Sequence, residues 1–196
     1  MKIIGITGGV GAGKSEVLNI ISDMCNCIIV RADELAKSLE AKGEVCYEAL
    51  IKLLSSDILD DNMEIVPQKM ARSIFESDDT EILSKVNAII HPQVKKRILS
   101  MIDSEFQKGE AEYFFIEAAL LIEDNYDLIC DELWYIYADE HIRAQRLATS
   151  RGYSQEKIAG IMASQLDDST FREKCDRVID NSRSIEDTYN QLKELL

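Results

Sequence analysis

The segment GGVGAGKS, residues 8–15, limits the possible folds of this chain more than any other stretch, because it fits the pattern G-x-x-x-x-G-K-[ST]. It follows the apolar run KIIGIT and precedes SEVLNIISDM, whose apolar residues recur at helical spacing. Glycines let backbone N–H groups turn inward around phosphate oxygens, and the positive end of the following helix points at the anion. The pattern therefore predicts a strand, a phosphate loop and a helix that together bind a nucleoside triphosphate. Lys14 is expected to reach the β- and γ-phosphates, and the Ser15 hydroxyl to ligate Mg²⁺.

Four further apolar runs are predicted to be strands: CIIV, AEYFFIEAALLI, DELWYIYAD and DRVIDN. Helical patterns separate them, including DELAKSLEAKG, which Gly43 is expected to close, then EHIRAQRLATSR and SQEKIAGIMASQL, and finally IEDTYNQLKELL. The middle of the chain, residues 44–101, is mostly helical, with expected breaks at DILDDN, at Pro67 and at His91-Pro92, where a new helix would start. Alternation of strand and helix at both ends predicts an α/β fold with a parallel sheet covered on two faces.

The net charge of −14 argues against a nucleic acid or a membrane surface as partner, since a basic surface supplies that attraction. Any site for an anionic substrate must then be a local cluster of Lys and Arg. Five irregularly spaced cysteines, no apolar run of bilayer length and no secretory leader pattern predict a cytoplasmic protein with reduced thiols.

Three classes of phosphate-loop protein compete for this sequence. A GTPase switch needs a guanine-reading N-K-x-D, which the chain lacks. A motor or transport ATPase carries an apolar strand ending in an acid, which YFFIE partly fits with Glu117, but the chain is short and acidic for such machines. A small-molecule kinase fits best, because it needs a phosphate loop, an acceptor-binding insertion and an arginine-bearing lid within about 200 residues.

Over nearly its whole length the chain resembles the dephospho-CoA kinase family. The ordered segments that carry the resemblance are GITGGVGAGKS, ADELA, SIFESDD, NAIIHPQV, ALLIE, QRLATSRGYS, IMASQ and CDRVIDN. The resemblance implies ATP-dependent phosphorylation of the 3′-hydroxyl of dephospho-CoA, the last step of coenzyme A synthesis. The expected substrates are thus ATP, bound with Mg²⁺, and dephospho-CoA. The protein itself is expected to be a monomer or a weak homo-oligomer.

The resemblance also implies how the one kinase domain, residues 1–196, is organised. A phosphate-loop core of three layers would comprise about 1–33, 101–138 and 170–196. A helical acceptor-binding insertion would span about 34–100, and a helical lid about 139–169.

Asp33 directly follows the second predicted strand, and two interpretations of it stay open. It is a favourable N-cap for the helix that begins in DELAKSLE, although Ala36 stands where a capping box has Glu. The resemblance instead makes it the catalytic carboxylate that meets the acceptor hydroxyl, at a strand end where α/β sheets bind ligands. The two roles are compatible.

The resemblance assigns further residues to ATP. Arg143 and Arg146, three apart on one helix face, would contact the phosphates, with Arg146 counted as catalytic together with Lys14 and Asp33. Asn181 would approach the adenine, and Glu117 either orients Mg²⁺ through water or has no special role. The expected nucleotide-binding set is Gly8, Gly9, Gly11, Ala12, Gly13, Lys14, Ser15, Glu16, Arg143 and Asn181.

Three positions depart from the family pattern. Arg31 stands where the family has Asp, Ala119 where it has Pro, and Ser150-Arg151 where it has Arg-Asp. These departures keep two alternatives open. One is an ATP-binding homologue without transfer activity, and the other is a kinase of another small hydroxyl acceptor.

Overall fold

Five parallel strands form one sheet: β1 (Lys2–Thr7), β2 (Cys27–Arg31), β3 (Tyr113–Glu117), β4 (Glu132–Tyr137) and β5 (Arg177–Asp180). Their order across the sheet is β2-β3-β1-β4-β5. β1 therefore lies in the centre, with Ile6 in register with Glu117 on one side and with Trp134 on the other. Because all strands run the same way, their carboxyl ends share one edge, and the loop after β1 opens at its middle.

Nine α-helices accompany the sheet in this computed structural model, which describes residues 1–196. They are α1 (Lys14–Met24), α2 (Ala32–Leu39), α3 (Tyr47–Leu54), α4 (Pro67–Phe75), α5 (Ile82–Lys108), α6 (Glu140–Arg151), α7 (Gln155–Ala163), α8 (Asp168–Lys174) and α9 (Ile185–Lys193). Short 3₁₀ turns occur at Ser56–Ile58 and Tyr126–Leu128. None of the helices is both long and apolar enough to cross a bilayer.

The chain divides into two compact units. The first, Met1–Arg31 with Lys108–Leu196, contains the whole sheet, and the second, Ala32–Gln107, is helical. The predicted α/β fold with helices on two faces of a parallel sheet is confirmed. The acceptor-binding role of the helical unit and the lid role of residues 139–169 stay predictions.

Burial of apolar side chains on both faces of the sheet stabilises the first unit. On one face, Trp134 and Phe115 meet edge to face at 5.8 Å within a fully buried cluster that α1 and α9 cover. On the other face, the rings of Tyr135 and Phe171 stack at 4.6 Å and attach α8 to β4. Each large side chain buried in this way stabilises the fold by about 1.5–3 kcal/mol.

The predicted helix break at His91-Pro92 is wrong, because α5 is 27 residues long and continues through Pro92. Proline inside a helix costs about 3 kcal/mol through its missing N–H and its clash with the preceding turn. Side chains at a spacing of four residues bury one face of α5 on both sides of the proline. They are Val86, Ile90, Val94, Ile98 and Ile102, and burying several of them offsets that cost.

Two other predicted boundaries also need correction. The helix expected to run to Gly43 ends at Leu39, whose carbonyl accepts from the amide of Cys46 at 3.1 Å as the chain turns away. The third strand stops at Glu117 instead of continuing through ALLI, because residues 118–125 fold into turns closed by backbone bonds such as Asp124 N to Leu120 O at 2.9 Å.

Glu132 joins three strands at the amino end of the sheet. Its carboxylate accepts from Lys2 Nζ at 2.8 Å and from the Trp134 indole N–H at 2.9 Å, and Arg177 approaches at 3.8 Å. The hydrogen bonds from Lys2 and Trp134, with the two positive charges, hold the pKa of Glu132 below its ordinary value. A carboxyl whose pKa is lowered on folding contributes stability above its unfolded pKa and loses that contribution as the pH falls through the folded value.

We therefore expect Glu132→Gln to lower the free energy of unfolding by about 1 kcal/mol at neutral pH, because the charge-assisted bond to Lys2 is lost. The deficit should shrink as the pH falls below the ordinary Glu pKa towards the lower pKa of the folded state, at which the wild-type carboxyl of the folded protein also becomes protonated. Urea unfolding of both proteins across this range measures the difference. Glu173→Gln, on the exposed side of α8, is the matched control and should change stability little at any pH. A deficit independent of pH would contradict the electrostatic explanation.

Candidate active site

The loop between β1 and α1 has the conformation that a phosphate cradle requires. Gly13 takes φ +90° and ψ +28°, a left-handed conformation that glycine adopts without cost, and its carbonyl accepts the first amide of the helix, Val17 N, at 3.1 Å. A Cβ at Gly13 would overlap the side-chain amide nitrogen of Asn181. Glycine is thus required here both by the backbone and by the packing of a neighbouring loop.

Lys14, the first residue of α1, lies against the base of this loop. Its Nζ donates to the carbonyl of Gly8 at 2.8 Å and lies 3.7 Å from Oε1 of Glu117. Glu117 ends β3 beside β1, so the register of these two strands sets the pair. Both side chains are only 13% exposed, which makes their charges count more than they would in open solvent.

Arg146 and Asn181 both hold the carbonyl of Ala12. Arg146 Nη1 donates to this oxygen at 3.2 Å and Asn181 Nδ2 donates at 2.8 Å, while Arg146 Nη2 donates to the carbonyl of Asn181 at 2.8 Å. A loop residue thereby receives two donors that lie more than 130 positions later in the chain. The sequence placed these two residues at the nucleotide, and the structure brings them together on the loop itself.

Arg143, one turn before Arg146 on α6, holds the same loop at Val10. Its Nε donates to the Val10 carbonyl at 2.9 Å, and its Nη2 donates to Oε1 of Gln165 at 3.0 Å. The same oxygen of Gln165 accepts the Val10 amide at 3.0 Å. A Cβ at Gly9 would overlap the guanidinium of Arg143, so this glycine makes room for the arginine.

Gln165 and Thr188 belong to this network, although no sequence pattern predicted a role for either. The Thr188 hydroxyl is buried and donates to Oδ1 of Asn181 at 2.9 Å, which orients the amide so that its nitrogen faces Ala12. Gln165 closes the segment IMASQ that carries part of the family resemblance, and this was the available signal for it. No local pattern indicates Thr188, because its partner is a side chain in the preceding loop.

Two tyrosines of β4 support the elements that carry the arginines. The Tyr137 hydroxyl donates to Asp139 Oδ1 at 2.7 Å, and the Asp139 carbonyl accepts the Arg143 amide at 2.9 Å. The hydrogen bond from the Tyr137 hydroxyl to Asp139 raises the pKa of Tyr137. Burial raises the pKa of Tyr135, whose hydroxyl donates to Asp168. Both phenols therefore stay protonated donors at neutral pH.

Ser15 and Glu16 lie exposed in the first turn of α1, beyond Lys14. The Ser15 hydroxyl is accessible for a ligand at the positive end of the helix. The acidic side chain of Glu16 complements the helix dipole at that end.

Asp33 lies in the helical unit, exposed, in the first turn of α2. The prediction that it is an N-cap is wrong, since α2 begins one residue earlier at Ala32. Its charge still favours the helix, because an acid in the first turn opposes the positive dipole end. The strand before it ends at Arg31.

The departures from the family pattern lie on three different elements of the structure. Arg31 is the last residue of β2 and pairs in register with Glu117. Arg151 is exposed at the end of α6, 6.0 Å from the Tyr153 ring centroid, and the Ser150 hydroxyl donates to the carbonyl of Arg146 at 2.6 Å. Ala119 is exposed in the turn after β3. None of these four residues takes part in the bonds described above that hold the phosphate loop.

Comparison with known proteins identifies the relatives of this arrangement. A dephospho-CoA kinase of Streptococcus mutans is 34% identical over 197 residues, which cover all of this chain and 96% of that protein. The crystal structure of TT1252 from Thermus thermophilus superposes with a TM-score of 0.81 at 26% identity, over 99% of this chain and 95% of that one. A dephospho-CoA kinase from Campylobacter jejuni has the same fold, with a TM-score of 0.73 at 21% identity over 100% and 96% of the two chains. The family model for dephospho-CoA kinase matches residues 2–187, and the chain therefore belongs to the dephospho-CoA kinase family.

Proposed function

We propose that this protein transfers the γ-phosphoryl group of ATP to the 3′-hydroxyl of dephospho-CoA, giving coenzyme A and ADP. The observation that carries the proposal is the family match over residues 2–187, since a phosphate loop alone does not specify an acceptor. The structure supports the ATP half, because the loop after β1 has the required backbone shape and basic side chains. With reduced cysteines and this biosynthetic reaction, a cytoplasmic location fits best.

The phosphates of ATP would lie on backbone amides of residues 8–16 at the start of α1, other than those of Val10 and Ala12, which hydrogen-bond within the protein. Lys14, Arg143 and Arg146 form the local basic cluster that a chain of net charge −14 needs to attract an anion. In phosphoryl transfer, catalysis is mainly positioning and stabilisation of charge on the transferred group. Lys14 and Arg146 would supply that stabilisation, and Asn181 would border the adenine.

The residues at the loop fit Mg²⁺. This ion binds through one or two protein oxygens and completes its octahedron with substrate phosphates and waters. The structure has no group of three or more acidic, histidine or cysteine side chains that would enclose a metal, and it presents the Ser15 hydroxyl at the start of α1. Ser15 would hold the ion, Glu117 would orient it through water, and the bound ion would neutralise phosphate charge.

Asp33 would orient the acceptor hydroxyl and take its proton. A ribose hydroxyl is a weak nucleophile, so a positioned carboxylate aids in-line attack on the γ-phosphorus, while the β-phosphate oxygen leaves with the electrons of the broken bond. An exposed carboxylate two residues beyond the sheet is accessible to a substrate. Closure of residues 139–169 would exclude water and suppress ATP hydrolysis.

ADP release in a coupled assay tests the reaction. We expect dephospho-CoA with Mg·ATP to raise the rate far above background hydrolysis, and the product to carry the new phosphate on the 3′-oxygen. Shikimate and nucleosides serve as alternative acceptors and should give no stimulation. Tight ATP binding by calorimetry without any turnover would favour the inactive homologue, and preference for another alcohol would favour a different kinase.

Lys14→Met should lower kcat by about 10²–10³, the usual effect of removing one donor that stabilises transition-state charge. It should also raise the KM for ATP, because a positive charge near the phosphates is lost. Lys174→Met on the exposed side of α8 is the control and should leave both constants unchanged. Full activity of the Lys14 variant would remove this residue from the catalytic set.

Asp33→Asn should reduce kcat by about 10²–10⁴, the typical contribution of a general base. Glu34→Gln is the matched control, since both acids are exposed in the first turn of α2 and each helps the helix dipole equally. The two variants should lose the same small stability in thermal melts, about 0.3–1 kcal/mol. If both also turn over equally well, Asp33 serves only the helix.

A further inference from the structure

Both backbone polar groups of Val10, in the middle of the phosphate loop, are held by side chains from distant parts of the chain. The amide donates to Gln165 Oε1 at 3.0 Å, and the carbonyl accepts from Arg143 Nε at 2.9 Å. A loop between glycines has large conformational freedom, so each of these bonds restricts it to the shape that binds phosphate.

Gln165 connects the two bonds through one atom. Its Oε1 accepts from the Val10 amide and from Arg143 Nη2, both at 3.0 Å. Gln165, Arg143 and Val10 therefore form a closed triangle of hydrogen bonds, and we call these three residues the Val10 brace. All three are partly buried, and low exposure strengthens such bonds relative to bonds made in water.

The position of Gln165 is itself fixed by the chain around it. It lies in the link between α7 and α8, where its backbone N–H donates to the Met162 carbonyl at 3.3 Å. Asp167, two residues later, caps α8 by accepting the Thr170 amide at 2.7 Å. The side chain thus projects from a short connection anchored by helices on both sides, which suits a residue that positions others.

We propose that Gln165 is a positioning residue of the ATP site, which sets Val10 and aims the guanidinium of Arg143 without touching ATP itself. Its amide oxygen is committed to the two donors of the brace, so it acts through them. Loss of this oxygen leaves the Val10 amide and one Arg143 N–H without their partner and frees the loop to leave its binding shape. This role deepens the proposed function, and of the measurements below only the kinetic one depends on dephospho-CoA being the acceptor.

Three variants separate an acceptor role from packing. Gln165→Met keeps length and volume but removes the oxygen, Gln165→Glu keeps an oxygen for both donors, and Gln155→Met makes the same chemical change at an exposed position that starts α7. ATP binding is measured by calorimetry without acceptor, so this readout stands even if dephospho-CoA proves not to be the substrate.

We expect Gln165→Met to weaken ATP binding about tenfold, the effect of losing one to two hydrogen bonds. Gln165→Glu should bind ATP more tightly than Gln165→Met, and Gln155→Met should match the wild type. In steady-state assays Gln165→Met should raise the KM for ATP while the KM for dephospho-CoA stays within about twofold. General misfolding would instead lower the apparent kcat and leave both KM values unchanged.

A double-mutant cycle with Arg143→Met tests whether Gln165 acts through Arg143. The loss of ATP affinity in the double variant should be clearly smaller than the product of the two single losses, because the residues share one bond network. Wild-type ATP binding by Gln165→Met, weaker binding by Gln165→Glu than by Gln165→Met, or independent effects in the cycle would each overturn the proposal.

Discussion

The carbonyl oxygen of Ala12 is the acceptor through which distant elements hold the phosphate loop. It receives Arg146 Nη1 and Asn181 Nδ2, which come from α6 and from the loop after β5. Glycine gives the phosphate loop its shape but also gives it conformational entropy, which bonds inside the loop, such as Lys14 Nζ to the Gly8 carbonyl at 2.8 Å, reduce only in part. Bonds from α6, from the α7–α8 link and from the loop after β5 supply further restriction, so the shape of the loop depends on tertiary packing.

The same bonds reconcile an acidic chain with an anionic substrate. A net charge of −14 repels polyanions at long range, but at 0.15 M ionic strength charges farther than about 8 Å are largely screened. What a phosphate meets is the local set of Lys14, Arg143 and Arg146, partly buried and close to helix α1. Glu117 opposes it, and its Oε1 lies 3.7 Å from Lys14 Nζ, where it also holds that ammonium beside the loop.

The sequence predicted those parts whose cause is local and missed those whose cause is tertiary. The phosphate loop was predictable because the glycine spacing of GGVGAGKS and the helical spacing of SEVLNIISDM are local patterns that adjoin in the sequence. The parallel α/β sheet followed from alternation of apolar runs with helical patterns. Pro92 was misjudged because its local cost is overcome by burial along α5, which only the folded unit supplies. Thr188 gave no local signal and Gln165 only its place at the end of the segment IMASQ, because their partners lie in other elements.

Bracing the loop and binding ATP are compatible roles for the two arginines. A guanidinium carries five N–H donors in one plane, and the bonds to Val10, Gln165, Ala12 and Asn181 use two nitrogens of each arginine. Each side chain therefore keeps donors and its full charge for phosphate oxygens. Because the backbone carbonyls hold them in place beforehand, little side-chain entropy remains to be lost when ATP binds. A lysine at either position has no planar fork and would hold the loop or contact a phosphate with less directional control, which explains why arginine suits both positions.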